Sequence, residues 1–196
     1  EQTKSDLVTK DEEKLDLVKE ENINLVKDTK LSSAKFCEID PLRPMVLGSV
    51  IFQEVAWAGG VNSTNDEWMR LKNISNSEVN LAGWQVLDKN KQIAVVFEGT
   101  NKVLSQGIFL LERTNDDSLS VVTANLIYTG ALGNTDEALY LFDQNCVLRD
   151  KVAAAPDWPA GDNAVRKSME RTSDLGWRTV GFVQNLNSST QNSPAQ

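Results

Sequence analysis

Hydrophobic and polar side chains alternate along most of the chain, in short runs that Gly, Asn and Asp interrupt. In one such run, Met69 and Leu71 fall on one face of an extended chain, and Arg70 and Lys72 fall on the other. A period of two is typical of a β-strand with one buried face. The same texture predicts strands at residues 50–57, 67–74, 79–87, 92–98, 107–113, 138–142, 147–152 and 167–172.

No pattern of a long amphipathic helix separates these runs. Parallel strands need a crossover of a dozen or more residues, which is usually helical. We therefore expect antiparallel pairing and two packed sheets. The sequence predicts an all-β fold, an antiparallel β-sandwich of seven to eight strands over residues 36–182. Residues 183–196 are rich in Ser, Asn and Gln and are predicted to form a flexible polar tail.

The first 35 residues have a different composition, with no Gly, Pro or aromatic residue, 9 acidic residues and 7 basic residues. Four apolar residues fit one heptad seam: Val8, Leu15, Val18 and Leu25. Two polar residues, Asp11 and Asn22, interrupt that seam, which makes a coiled coil weak. The favoured interpretation of residues 1–35 is a solvated leader or stalk, either partly helical or disordered. The alternative is a short helix through which the chain self-associates.

Charge and hydropathy narrow the classes of partner. The net charge is −8 and no run of the sequence supplies a basic patch, which argues against a nucleic-acid partner. No apolar stretch approaches the ~18 residues of a membrane-spanning helix. The chain begins at Glu1 and not at Met. We interpret this as the loss of an upstream segment, either a signal peptide or a residue range left out of the expressed fragment.

The chemistry available to this chain is limited because it contains no histidine and only two cysteines. Ser-His-Asp and Cys-His catalysis are excluded, as are the commonest zinc sites. The dipeptides Glu112-Arg113 and Glu170-Arg171 repeat at predicted strand ends. Paired carboxylates can serve a glycosidase as acid and base, but structural ion pairs or charge-assisted hydrogen bonds are the favoured interpretation. We predict no enzymatic activity and no cofactor.

Seven short motifs occur in an order and at a spacing that identify a family resemblance. They are EVAWAG at 54–59, NDEW at 65–68, LAGW at 81–84, FLLER at 109–113, YTGALGN at 128–134, WPAGDN at 158–163 and SMER at 168–171. This series resembles the bacterial branch of the lamin-tail domain family over nearly all of residues 47–178. The resemblance implies an immunoglobulin-like sandwich that acts as a noncatalytic interaction or structural module.

The resemblance implies a location and a kind of partner, but it does not extend to every role of the family. In nuclear lamins the domain follows a long coiled-coil rod, which this chain lacks, so a filament role does not carry over. Bacterial members look like secreted or cell-surface proteins, which implies an extracytoplasmic location, in the periplasm or outside the cell. The expected partner is a protein or a cell-surface component, bound through the loops that a rigid sandwich presents.

Cys37 precedes the first predicted strand, and Cys146 lies at the turn of a late predicted hairpin. A disulfide between them is favoured because an exposed turn is an unusual place for a buried free thiol, and similar family members look as if they carry a matching pair. Such a bond would close a loop of about 110 residues and contribute about 4–5 kcal/mol in the chain-entropy model. The alternative is two unrelated thiols in a reducing cytoplasm.

Two loops are the predicted recognition surface, and they carry seven candidate binding residues: Asn62, Asn65, Asp66, Glu67, Trp158, Asp162 and Asn163. Oxygen-rich side chains also make calcium a candidate ligand, at Asp66, Glu67, Asp136 and Glu137. Ordinary turn formation by Asn and Asp is the favoured interpretation of these residues.

The five tryptophans raise the alternative of a carbohydrate-binding accessory domain, but most aromatic residues in small sandwiches pack in the core. Trp158 lies in a Pro- and Gly-rich loop and is the tryptophan that we expect to be exposed.

Overall fold

The structure, a computed structural model, describes residues 35–180. The predictions for the charged leader, its heptad seam and the polar tail therefore lie outside the described residues, apart from Lys35. The described part of the chain is all-β and contains twelve strands. They are β1 (Val50–Ala56), β2 (Trp68–Asn73), β3 (Val79–Asn80), β4 (Gln85–Asp88), β5 (Ala94–Val96), β6 (Lys102–Val103), β7 (Ile108–Arg113), β8 (Leu126–Tyr128), β9 (Ala138–Phe142), β10 (Leu148–Ala153), β11 (Met169–Arg171) and β12 (Trp177–Thr179).

Ten of these strands form two sheets that pack face to face. The larger sheet has the order β12-β11-β1-β2-β7-β8, and the smaller has the order β10-β9-β4-β5. Pairing is antiparallel throughout, except that β8 runs parallel to β7. The predicted immunoglobulin-like β-sandwich is thus confirmed. No helix among the described residues is long and apolar enough to cross a membrane.

The strand bounds differ from the predicted ones where a turn or an edge interrupts the hydrophobic pattern. Predicted strand 138–142 coincides with β9. Predicted strand 79–87 is wrong as a single element, because the chain turns between β3 and β4. Trp84 donates its backbone N–H to the carbonyl of Leu81, and Gly83 adopts a φ of 76°, a left-handed conformation that favours glycine. The short strands β6, β8 and β12 were not predicted.

The central core lies between the two sheets, and strands of both contribute to it. Phe52, Met69 and Leu71 come from the larger sheet, and Val86 and Leu141 come from the smaller one. Each of these side chains is fully buried. This geometry explains why apolar and polar residues alternate in β2. Met69 and Leu71 face the core, whereas Arg70 and Lys72 are partly exposed on the opposite face.

The smaller sheet is buried on its outer face as well, since every residue of β4 and β9 is buried. We call residues 36–48 the strap, because this segment covers that outer face. The cluster beneath it contains Cys37, Leu87, Tyr140, Phe142 and Leu148. This second cluster explains why β9 shows a continuous apolar run, as strands buried on two faces do.

Several contacts fix the strap in place. Cys37 forms a disulfide with Cys146, and their Cα atoms are 5.4 Å apart. The predicted pairing is thus present in the structure. Arg43 donates to the carbonyl of Cys146 at 2.9 Å, and Val46 donates its backbone N–H to Leu148 of β10 at 2.9 Å. The strap therefore extends the smaller sheet at its β10 edge.

A buried ion pair joins the two sheets. Asp150 of β10 is fully buried, accepts the backbone N–H of Phe52 in β1 at 2.8 Å and pairs with Arg171 of β11. Both β1 and β10 change register next to these residues. Bulges of this kind turn a backbone or side-chain group toward a new partner. The Arg171 guanidinium also stacks over the ring of Trp177 at 4.4 Å.

Candidate interaction surface

Three loops meet at one end of the larger sheet. Residues 59–66 lie in the connection between β1 and β2, residues 114–122 lie in the connection between β7 and β8, and residues 161–167 lie in the connection between β10 and β11. The antiparallel order β11-β1-β2-β7 brings these connections to the same end, because neighbouring strands run in opposite directions. We call the three loops together the loop cluster.

The three loops line a shallow pocket of about 150 Å³. Arg166 donates to the carbonyl of Ala58 at 2.6 Å and to the side chain of Asn163 at 2.7 Å, which ties the third loop to the first. Gly60, Leu119 and Lys167 contribute to the pocket wall from one loop each. The pocket is therefore assembled from three separate parts of the sequence.

Four exposed valines lie on the three loops, and one of them, Val61, also lines the pocket. Val61 is 68% exposed, Val121 69%, Val122 45% and Val165 44%. Each of the three loops supplies at least one of them. Apolar side chains that face water together at the end of a rigid scaffold are typical of an interaction surface. These valines were not predicted, because valine in a loop offers neither turn-forming nor metal-ligating chemistry.

Five of the polar residues predicted to bind a partner lie on the loop cluster, and one of them, Asp162, stabilises a turn. Asn62, Asn65 and Asn163 are exposed, and Asp66 and Asp162 are partly buried. The carboxylate of Asp162 accepts the backbone N–H of Ala164 at 2.8 Å within its own turn. Burial raises the pKa of Asp66. Whether these residues bind a ligand stays a prediction.

The predicted exposure of Trp158 is wrong. Its side chain is 6% exposed and stacks on Trp57, with ring centroids 6.1 Å apart. Its indole N–H donates to the carbonyl of Gly133 at 2.8 Å, and that of Trp57 donates to Ala160 at 2.9 Å. A large ring with one polar atom is buried favourably when that atom finds an acceptor. Trp158 is therefore a core residue in a loop of the sequence.

The other tryptophans also pack inside or against the protein. Trp68 and Trp84 are each 6% exposed, and Trp177 is half-buried beneath Arg171. The part of the chain that the structure describes thus presents no flat tryptophan platform of the kind that stacks on sugars.

Glu67, a candidate for partner binding and for calcium, is buried next to an arginine. Its carboxylate pairs with Arg113 at 3.0 Å and accepts the backbone N–H of Leu132 at 2.8 Å. Burial raises its pKa to about 7, against the opposing effects of the Leu132 N–H and Arg113. The phenolic oxygen of Tyr128 is buried nearby without a hydrogen-bond partner. Arg113 lies 46 residues away in the sequence, so no local pattern indicated the pair.

The other candidate calcium ligands are also engaged by protein groups. Glu137 accepts the backbone N–H groups of Ala138 and Gly133, and Asp136 pairs with Lys89 at 2.7 Å. Between residues 35 and 180, no group of three or more acidic or cysteine side chains is arranged to hold a metal ion. Calcium binding at these residues stays a prediction.

The repeated Glu-Arg dipeptides make structural contacts. Glu112 is buried and accepts the backbone N–H groups of Ser118 and Leu119, so it fixes the second loop of the loop cluster. Glu170 pairs with Arg178 at 2.7 Å across β11 and β12. Both contacts agree with the favoured interpretation of charge-assisted bonds that hold local structure.

Comparison with known proteins finds one family. Residues 44–155 match the model of the lamin tail domain. Comparison with curated proteins finds no match. The match spans the strap from Pro44 onward, all strands from β1 to β10 and the first two loops of the loop cluster.

Proposed function

The chain belongs to the lamin tail domain family, and we propose that it is a noncatalytic interaction module that binds a protein partner through the loop cluster. Domains of this kind are rigid scaffolds whose connecting loops carry recognition. The observation that carries the proposal is the convergence of three loops on one pocket, together with the exposed valines that each of these loops carries. Their backbone is held by Arg166 and Glu112, so the surface is preorganised.

An extracytoplasmic setting is part of this proposal. The disulfide between Cys37 and Cys146 supports it, because such bonds persist mainly in oxidising compartments. Alkylation of free thiols during extraction from the source cells, followed by mass measurement, tests the setting. We expect both cysteines to escape alkylation until a reductant is added.

Substitution of the exposed valines tests the binding surface. The double variant Val61→Asp, Val121→Asp places two charges on the loop cluster without touching a buried residue. The control is Leu104→Asp, which charges a side chain that is 62% exposed and lies outside the loop cluster. Both variants should melt within a few degrees of the wild type, because exposed substitutions change stability little.

The assay is capture of partners from a cell-surface extract of the source organism. We expect the wild type and Leu104→Asp to retain the same partner and the valine variant to lose it. Equal retention by all three proteins would place the binding surface elsewhere. Equal loss by both variants would show a general effect of negative charge and overturn the assignment to these loops.

A further inference from the structure

Two sheet edges face the same groove on one side of the sandwich. Strand β8 ends the larger sheet and strand β5 ends the smaller one. A groove of about 500 Å³ runs between them and is lined by residues of both strands. At one end the edges approach closely, since a Cβ atom on Gly130 would lie 2.4 Å from the carbonyl oxygen of Gln92. Away from this contact, the space between the edges is open to solvent.

The two edges of the smaller sheet differ in their partners. At the β10 edge, the strap donates backbone N–H groups from Val46 and Gly48 to Leu148 and Arg149. Strand β5, at the opposite edge, pairs with β4 alone among the strands of the described residues. Within residues 35–180, one edge of this sheet is therefore extended by a further segment of chain, and the other is not.

The pairing of β5 with β4 fixes which backbone groups face the groove. The carbonyl of Ile93 accepts the backbone N–H of Asp88 in β4 at 3.0 Å, and the N–H of Phe97 donates to the carbonyl of Trp84, just before β4, at 2.9 Å. Because these bonds alternate along an antiparallel pair, Val95 also faces β4, whereas the N–H and C=O groups of Ala94 and Val96 point away from it. A short row of backbone donors and acceptors is thus directed outward at this edge.

The groove walls define which occupant fits. Val95 and Tyr128 form apolar parts of its floor and are buried in the core, and Leu126 packs beside them. Glu98 is the one carboxylate among the lining residues and is exposed. Its backbone N–H is held by the side chain of Asn101 at 2.8 Å. The groove therefore combines outward backbone groups, an apolar floor and one negative charge.

We propose that this groove binds an extended segment of a partner protein, which adds a strand to β5. Main-chain hydrogen bonds to Ala94 and Val96 supply the register, as in other cases of strand addition. An aliphatic side chain of the segment would face Val95 and Leu126, and a lysine or arginine would lie near Glu98. A second copy of this chain fits less well, because two three-residue edges would bury far less than the ~1,000 Å² that a stable interface needs.

Proline substitution at the edge tests the proposal. Val96→Pro removes an outward N–H and leaves the bonds between β4 and β5 in place, a position where proline is tolerated. Val96→Thr is the matched control, because it keeps both the N–H and the β-branched shape. The probe is the synthetic peptide acetyl-Lys-Val-Thr-Val-Thr-Val-Lys-amide, titrated into the full chain and followed by amide exchange in NMR spectra.

We expect saturable binding with slower exchange at Ala94 and Val96 and little change at Val95, whose N–H is already paired. Val96→Pro should bind the peptide about tenfold more weakly, and Val96→Thr should bind it as the wild type does. Equal affinity of the two variants would overturn the proposal. So would protection confined to the loop cluster, or slower exchange at Ala94 that depends on protein concentration without peptide, which would indicate edge pairing between copies.

Discussion

The central core and the cluster beneath the strap are both apolar and buried, but they are enclosed in different ways. The core lies between two sheets, and hydrogen-bonded strands form both of its walls. The strap cluster has the smaller sheet as one wall and a non-repetitive segment, residues 36–48, as the other. That segment depends on the disulfide, on Arg43 and on two backbone bonds to β10.

Core contacts should therefore determine whether the sandwich folds, and strap contacts should determine only whether the strap stays bound to it. Loss of a core contact should affect all strands together, because they share one interior. Loss of a strap contact should release one segment and leave the sandwich folded, since local openings occur where few contacts hold a segment. Separate substitutions in the core and in the strap therefore test this distinction.

Truncation of the tryptophan pair in the core should have the largest effect. Trp158→Ala removes the stacking on Trp57 and leaves the carbonyl of Gly133 without its donor. We expect the free energy of unfolding to fall by about 3–5 kcal/mol, measured by denaturant titration. Trp158→Phe keeps an aromatic ring and loses only the hydrogen bond, so it should lower the free energy of unfolding by clearly less than Trp158→Ala does. Equal costs for the two variants would show that ring packing contributes little.

Removal of the disulfide should have the next largest effect and should act locally. In the double variant Cys37→Ala, Cys146→Ala, we expect the free energy of unfolding to fall by about 2–4 kcal/mol, which is the typical range for a disulfide. This range lies below the value from chain entropy because an unfolded chain that keeps some structure loses less entropy on crosslinking. Amide exchange should accelerate most at Val46 and Gly48, which pair with β10. Equal acceleration in β2 and in the strap would show that the two clusters unfold as one unit.

The same comparison explains how much of the fold could be predicted from the sequence. Strand β9 was predicted at its correct bounds, since its five apolar residues are buried on both faces. The strap was not, because Pro41 and Pro44 interrupt its apolar residues and give it no strand or helix period. Strand β8 was missed because it is three residues long and is held in register by β7. The positions of the strap and of β8 therefore depend on contacts with residues that are distant in the sequence, and not on the local hydrophobic pattern.

The candidate site was predictable only in part, for a similar reason. The loops that form it were identified from their turn residues, which act locally. The burial of Trp158 and Glu67 depends on Trp57 and Arg113, which are distant in the sequence. Exposure in a loop cannot be inferred from Pro and Gly alone when a neighbouring loop can cover the side chain. The four exposed valines carried no periodic signal, so only the fold brought them together.

The free energy of unfolding, measured as a function of pH, tests a buried carboxylate of the sandwich, that of Glu67. Burial raises the pKa of Glu67 from 4.5 to about 7, so the folded protein holds this proton more tightly than the unfolded chain does. This stabilisation is fully present below about pH 4.5 and is lost as the pH rises through 7. We expect Glu67→Gln to remove this part of the dependence, so that the stability difference from wild type changes by on the order of 1–3 kcal/mol across that range.

The control for this experiment is Glu38→Gln, which removes a carboxylate from an exposed position of the strap. Its stability difference from the wild type should stay nearly constant between pH 4.5 and 7. Other buried carboxylates, such as Asp150 and Glu54, also have raised pKa values. The comparison of wild type with Glu67→Gln cancels their contributions. A constant difference for Glu67→Gln would mean that Arg113 keeps this carboxylate ionised over the whole range.

The smallest effect is expected at the outer side of the strap. Leu42 is 91% exposed, whereas Ile39 is partly buried against the strap cluster. Leu42→Ala should change the free energy of unfolding by less than about 0.5 kcal/mol, and Ile39→Ala should cost about 1–2 kcal/mol, as a partly buried side chain does. Denaturant titration at two protein concentrations measures both. The opposite outcome is that Leu42→Ala lowers the free energy of unfolding as much as Ile39→Ala does, by an amount that grows with protein concentration. The outer side of the strap would then be buried against another copy of the chain.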